Sequence, residues 1–171
     1  MGFMIMRLVN KEVYGYVSIQ VALYMSLSMF FAKEAVRKAA IRDIGDNRSI
    51  RSSFNLVQLT LPLNLIMTGL ATAFILFLTN PSLELDYFVP SILCWAASLT
   101  MECYLEAYYV YMTLSKNLTP RVTLETVGVI IKTTLNYLLL TQNLHLISYA
   151  ASQLVYNTIL LVGYPYMIGK E

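Results

Sequence analysis

The sequence contains little charge. Asp, Glu, Lys and Arg make up only 13% of its 171 residues, and 57% are hydrophobic, whereas soluble globular domains carry about 25% charged residues. The mean hydropathy is +0.59. The net charge of +2 is too small for a protein that neutralises nucleic-acid phosphates. The composition therefore favours a protein whose partner is the lipid bilayer and excludes nucleic acid.

Cysteine and histidine are also rare, with two cysteines and one histidine. Cys94 and Cys103 are nine residues apart in one apolar run, which on a helix separates them by roughly 13 Å, too far for a disulfide. The sequence has no cluster of metal ligands, no glycine-rich phosphate loop and no Ser/His/Asp arrangement. It therefore predicts no enzyme, no metal site and no cofactor.

Long apolar segments dominate the rest of the chain. A membrane-spanning helix needs about 20 apolar residues, and the candidate spans are approximately 14–32, 54–78, 88–114, 122–140 and 146–168. The first ten residues are apolar except for Arg7 and Asn10, and we interpret them as the end of a helix whose beginning is missing. The pattern predicts an all-α polytopic membrane protein with about five full transmembrane helices plus the end of a first, in one partial domain over residues 1–171.

The first span continues without Pro or Gly into a basic extension that reaches Arg42. Residues 33–51 hold six cations against three acids, and the next loop holds only the acids Glu84 and Asp86. Basic loops stay on the cytosolic side of a membrane. We therefore expect loops 33–53 and 115–121 to be cytosolic and loops 79–87 and 141–145 to be lumenal.

Ionisable residues also lie within the spans. Glu102 and Glu106 are four apart, Arg121 and Glu125 are four apart, and Glu125 and Lys132 are seven apart, so each pair shares one helix face. Such charges cost at least about 2.5–3.5 kcal/mol near the bilayer centre and normally face a protein interior. We expect them to line a polar cavity between helices. Structural pairing, for example of Lys132 with Glu125, is the alternative.

The same cavity is expected to receive the inner charges of the basic extension, which are Lys33, Glu34 and Arg37. The outer cations Lys38 and Arg42 are better explained as topology determinants that contact anionic headgroups.

Three stretches in order resemble the Rft1 family. They are KEVYG at 11–15 with FAKEAVRKA at 31–39, then MECYLE at 101–106, and then RVTLE at 121–125 continuing to Lys132. The resemblance covers roughly residues 7–168. Ala107 departs from it, because the family often has proline at this position.

The resemblance implies a multi-pass endoplasmic reticulum protein of the multidrug/oligosaccharidyl-lipid/polysaccharide exporter superfamily. Its two-lobe, MATE/MurJ-like fold has two bundles of about six helices, and this chain would be the N-terminal bundle. The implied function is translocation of Man5GlcNAc2-PP-dolichol for protein N-glycosylation. Since alternating access needs two halves, we expect this chain alone not to transport.

The resemblance also implies roles for the charged residues. Lys33, Arg37 and Lys132 would contact the diphosphate of the dolichol-linked oligosaccharide. The acids Glu102, Glu106 and Glu125 would orient these cations or contact sugar hydroxyls, with Glu34 and Arg121 beside them in the cavity.

Two other functions remain open at this point. One is a non-transporting scaffold that works with other proteins of the N-glycosylation pathway, in which the same charges are structural. The other is a cation-coupled exporter of the same superfamily, in which Glu102 would be the proton or sodium site.

Overall fold

The computed structural model describes residues 15, 19, 21–30, 57–58, 60–78, 87–115, 118–142 and 144–168. Its elements are the helices α1 (Ala22–Met29), α2 (Thr60–Leu78), α3 (Phe88–Leu114), α4 (Leu118–Thr141) and α5 (His145–Ile168). The predicted all-helical fold is confirmed for this part of the chain.

Two of the helices are long and apolar enough to cross a membrane, over Phe88–Thr113 and Leu146–Ile168, and Leu61–Phe77 is a shorter apolar helix. Large apolar side chains such as Phe74 and Phe77 on α2 are exposed by 61% and 85%. Contiguous exposed apolar surface marks a protein or membrane contact. The described residues are thus consistent with a membrane protein.

Helix α3 is the centre of the arrangement. It packs most extensively against α5, which in turn packs against α4, and α2 and α1 cover another side of α3. One buried cluster joins Tyr24 of α1, and Val21 just before it, to Trp95 of α3 and Ala150 of α5. Because its neighbours lie on several sides, α3 carries its polar residues into the interior of the bundle.

The chain enters α3 through a tight local structure. Tyr87 has a left-handed backbone with φ 63°, and its carbonyl accepts hydrogen bonds from the amide of Ser91 at 3.0 Å and from the Ser91 hydroxyl at 2.7 Å. Pro90 lies in the first turn, where its missing N–H would have no helical partner in any case. These features fix the residue at which α3 starts and hence the position of its side chains along the helix axis.

Glycines allow α4 and α5 to pack closely. A Cβ atom at Gly163 of α5 would lie 2.6 Å from both methyl carbons of Leu124 on α4, and one at Gly128 of α4 would lie 2.9 Å from the Tyr156 ring. Small residues that let backbones approach are typical of helix pairs in membranes. The close approach brings the polar residues of α4 and α5 together.

Replacement of Gly163 should therefore loosen this helix pair. We expect Gly163→Ala to lower the free energy of unfolding by about 1–2 kcal/mol, because overpacking outweighs the helix propensity that alanine gains. Gly69 of α2 is the matched control, since a Cβ there would have no atom within 4 Å. Thermal unfolding in detergent measures both, and an equal response of the two variants would contradict the close packing of α4 on α5.

Candidate functional site

Three helices converge on a cavity of about 170 Å³, which we call the acidic cavity. Its lining residues are Glu102, Leu105, Glu106 and Tyr109 of α3, Glu125 of α4, and Tyr156, Asn157, Leu160 and Tyr164 of α5. Three carboxylates, one amide and three phenol groups therefore share one space inside helices that are otherwise apolar.

The acids of α3 reach the cavity because of their helical spacing. Glu102 and Glu106 are four residues apart and lie on one face, which packs towards α5. Glu106 is only 4% exposed, and Glu102 is half-buried. Burial of a carboxylate is costly without compensating groups, so the surroundings of this face are polar.

The acid of α4 is held by two groups. Arg121 Nε donates to Glu125 Oε1 at 3.0 Å, and the hydroxyl of Tyr164 donates to the same oxygen at 2.8 Å. The guanidinium of Arg121 also donates to Thr113 Oγ1 at 3.0 Å and stacks with its Cζ 3.5 Å from the centre of the Tyr109 ring. Arg121 thus links the end of α3 to α4 and fixes the Glu125 carboxylate at the cavity wall.

Lys132 lies next to the cavity wall, on the same face of α4 as Glu125. Its ammonium donates to the Gln153 Oε1 atom of α5 and lies 5.5 Å from the centre of the Tyr156 ring. Glu102 is close enough to Lys132 to interact electrostatically. The intrahelical pairing of Lys132 with Glu125, which the sequence left open, is therefore not what the structure has, because Glu125 binds Arg121 and Tyr164.

Asn157 is the polar centre of the α3–α5 contact. Its side-chain nitrogen donates to the carbonyl oxygen and to the hydroxyl of Ser98, both at 2.8 Å. The residue is 0% exposed, and among the described residues its Oδ1 atom receives no hydrogen bond. An unsatisfied buried acceptor costs about 1–3 kcal/mol, so this oxygen is suited to a donor from a ligand or water.

The structure brings together the five charged residues that the sequence singles out in the third and fourth spans. Glu102, Glu106 and Glu125 line one cavity, Arg121 holds Glu125, and Lys132 lies beside Tyr156. The remaining predicted site residues, which are Lys33, Glu34 and Arg37, lie outside the described residues.

Sequence reasoning missed the contribution of α5. Gln153, Tyr156, Asn157 and Tyr164 bind or face the charged residues of the other two helices. A signal was present, since these positions follow the three-and-four spacing of one helix face. They carry no formal charge, however, and a search for costly intramembrane charges passes over them.

The acids of the cavity were also compared with the arrangement that a metal ion needs. Within the part of the chain that the structure describes, no three His, Cys, Asp or Glu residues are placed to hold a metal ion. Carboxylates are hydrogen-bond acceptors, so the three acids of the cavity are suited to a ligand with several donors or to cationic partners.

Comparison with known proteins gives one family. The family model described as "Rft protein" matches residues 2–171. A protein of Mus musculus named Man(5)GlcNAc(2)-PP-dolichol translocation protein RFT1 is 28% identical over 164 residues, which are 94% of this chain and 30% of the relative. A protein of Dictyostelium discoideum with the same name is 26% identical over 166 residues, which are 91% of this chain and 30% of the relative.

The chain thus spans 30% of the length of these curated relatives. No solved structure matches it.

Proposed function

Because the chain belongs to the Rft-1 family, we propose that it takes part in moving Man(5)GlcNAc(2)-PP-dolichol across the endoplasmic reticulum membrane for protein N-glycosylation. The names of both relatives include Man(5)GlcNAc(2)-PP-dolichol and the word translocation. The observation in the structure that supports the proposal is the convergence of Glu102, Glu106 and Glu125 on one cavity inside apolar helices.

The proposed architecture has about five full transmembrane helices in this chain, which form one lobe of a two-lobe transporter. Four of them would be the apolar segments around α2, α3, α4 and α5, and the first would contain α1 (Ala22–Met29). The basic loops 33–53 and 115–121 would face the cytosol, and loops 79–87 and 141–145 would face the lumen.

The proposed mechanism is capture of the diphosphate by cations on the polar face of the bundle. Lys132 is the described cation that suits this role, because its hydrogen-bond partner Gln153 is uncharged, and Glu102 is the acid that acts on its charge. Lys33 and Arg37 would complete the site. Arg121, by contrast, is committed to Glu125, and we assign it the orientation of this acid.

One observation favours a non-transporting scaffold as the second candidate. Both Arg121 and Lys132 have protein partners, and the contacts join α3 to α4 and α4 to α5. In a scaffold these contacts would serve only to hold the bundle together, and other proteins of the N-glycosylation pathway would be its partners.

Binding of the lipid separates these proposals. The chain, purified into phosphatidylcholine nanodiscs, should bind fluorescent Man(5)GlcNAc(2)-PP-dolichol saturably, and unlabelled diphosphate lipid should compete while free dolichol should not. Equal competition by dolichol would contradict diphosphate capture and favour the scaffold. In a full-length family member that carries these residues, a cation-coupled exporter would instead lose transport on Glu102→Gln and retain it on Arg37→Ala.

A further inference from the structure

We propose that the acidic cavity is the pocket for a single sugar unit, the one attached directly to the diphosphate. This inference rests on the proposed function, because it assigns one part of the same glycolipid to a place in the bundle. It goes further because it names which residues bind the sugar and which bind the phosphate.

The acceptors of the cavity are spread out rather than focused on one point. Glu102, Glu106 and Glu125 line one space, yet no trio of acids in the described ranges is arranged to hold a metal ion. A hydroxyl-rich ring fits this spacing, because each of its hydroxyl groups donates in a different direction and carboxylates are strong acceptors. A compact cation needs its oxygen ligands at one centre.

Asn157 provides an independent indication of a ligand. Its nitrogen donates to Ser98, which leaves Oδ1 without a donor on a fully buried residue of the cavity lining. Within the described residues this oxygen accepts no hydrogen bond. Buried polar groups in proteins almost always have a partner, and a sugar hydroxyl would supply the missing donor.

The remaining lining and the size of the cavity agree with one sugar ring. Tyr109, Tyr156 and Tyr164 contribute aromatic rings to the lining, and such rings present flat apolar faces beside a polar group. The volume of about 170 Å³ is several times the roughly 30 Å³ that one water occupies in the liquid. It suits a single monosaccharide and is too small for a branched oligosaccharide.

The position of Lys132 selects the sugar nearest the diphosphate. The ring of Tyr156 lines the cavity and has the Lys132 ammonium 5.5 Å from its centre. A diphosphate bound by Lys132 would therefore place its first sugar beside Tyr156 in the cavity, and the rest of the glycan would extend away from it.

Three lipids in phosphatidylcholine nanodiscs test the inference: dolichyl diphosphate, the same lipid with one N-acetylglucosamine, and Man(5)GlcNAc(2)-PP-dolichol. We expect the one-sugar lipid to bind about tenfold more tightly than bare dolichyl diphosphate, as gained hydrogen bonds predict. The full glycolipid should add little to this. Asn157→Ala and Glu102→Gln should both remove the gain from the sugar, measured as the ratio of the affinities for the one-sugar lipid and for bare dolichyl diphosphate. Asn157→Ala should also leave binding of the bare lipid unchanged.

Asn64→Ala is the control, because Asn64 is a buried amide of α2 at 1% exposure and does not line the acidic cavity. If Asn157→Ala does not fold, Glu102→Gln decides, since Glu102 is only half-buried and the change keeps its shape. Equal affinity for the lipids with and without sugar would overturn this inference alone. Failure to bind any diphosphate lipid would overturn the proposed function as well.

Discussion

Arg121→Ala should lower the free energy of unfolding by about 2–3 kcal/mol. Loss of one partner of a buried ion pair costs about 3–5 kcal/mol, and we expect less because the Glu125 side chain keeps 30% exposure, against 13% for Arg121. The substitution also removes the hydrogen bond to Thr113 and the stacking on Tyr109. The single tryptophan of the chain, Trp95, is buried in the helix core, so its fluorescence reports unfolding in detergent.

The double variant Arg121→Ala/Glu125→Ala is the control for this prediction. We expect it to be more stable than Arg121→Ala alone, because it leaves no carboxylate in the bundle without its cation. A loss below about 0.5 kcal/mol in the single variant, the size of an exposed pair, would show that water screens these charges and that they do not lie in a protein interior.

Lys132→Ala should weaken binding of Man(5)GlcNAc(2)-PP-dolichol by ten- to a hundredfold. Hydrogen bonds to charged groups contribute about 1.5–3 kcal/mol, and each 1.4 kcal/mol corresponds to a factor of ten in affinity. The same loss of affinity is expected for bare dolichyl diphosphate, because the proposed contact of Lys132 is with the phosphate and not with the sugar. Titration of the labelled lipids into nanodiscs measures both affinities.

Two further variants show whether charge or packing causes the loss. Lys132→Arg should retain most of the affinity, since it keeps the positive charge. Gln153→Leu removes the neutral partner of the ammonium and should bind the diphosphate at least as well as the original chain. If Gln153→Leu lost as much affinity as Lys132→Ala, the contact between α4 and α5 would be structural, as in a scaffold.

The positions of the apolar runs in the sequence predicted much of the fold. The third apolar segment and α3 cover the same residues, 88–114, because both are set by a long apolar run. The fourth segment starts at 122, whereas α4 begins at Leu118. Hydropathy shows only where the chain is apolar. It misses the first turn of α4, because Thr119 and Arg121 are polar and Pro120 is a proline, which the first turn of a helix accepts.

The sequence could predict which charged residues of the site share a face when both lie on the same helix. The spacing of Glu102 and Glu106, or of Arg121 and Glu125, places two charges on one face whatever the tertiary structure. The choice of partner across helices was not predictable in this way. Lys132 shares a face with Glu125, yet it binds Gln153, because the close approach of α4 and α5 at Gly163 and Gly128 brings an uncharged amide within reach.

The most direct test of the whole account is to locate the glycolipid on the chain. A Man(5)GlcNAc(2)-PP-dolichol analogue with a photoreactive group on its first sugar should crosslink in nanodiscs to peptides covering 102–109 of α3 and 153–164 of α5, and unlabelled glycolipid should suppress the signal. Crosslinks confined to the outer surface, at exposed residues such as Phe74 and Ile130, would contradict a binding site inside the bundle.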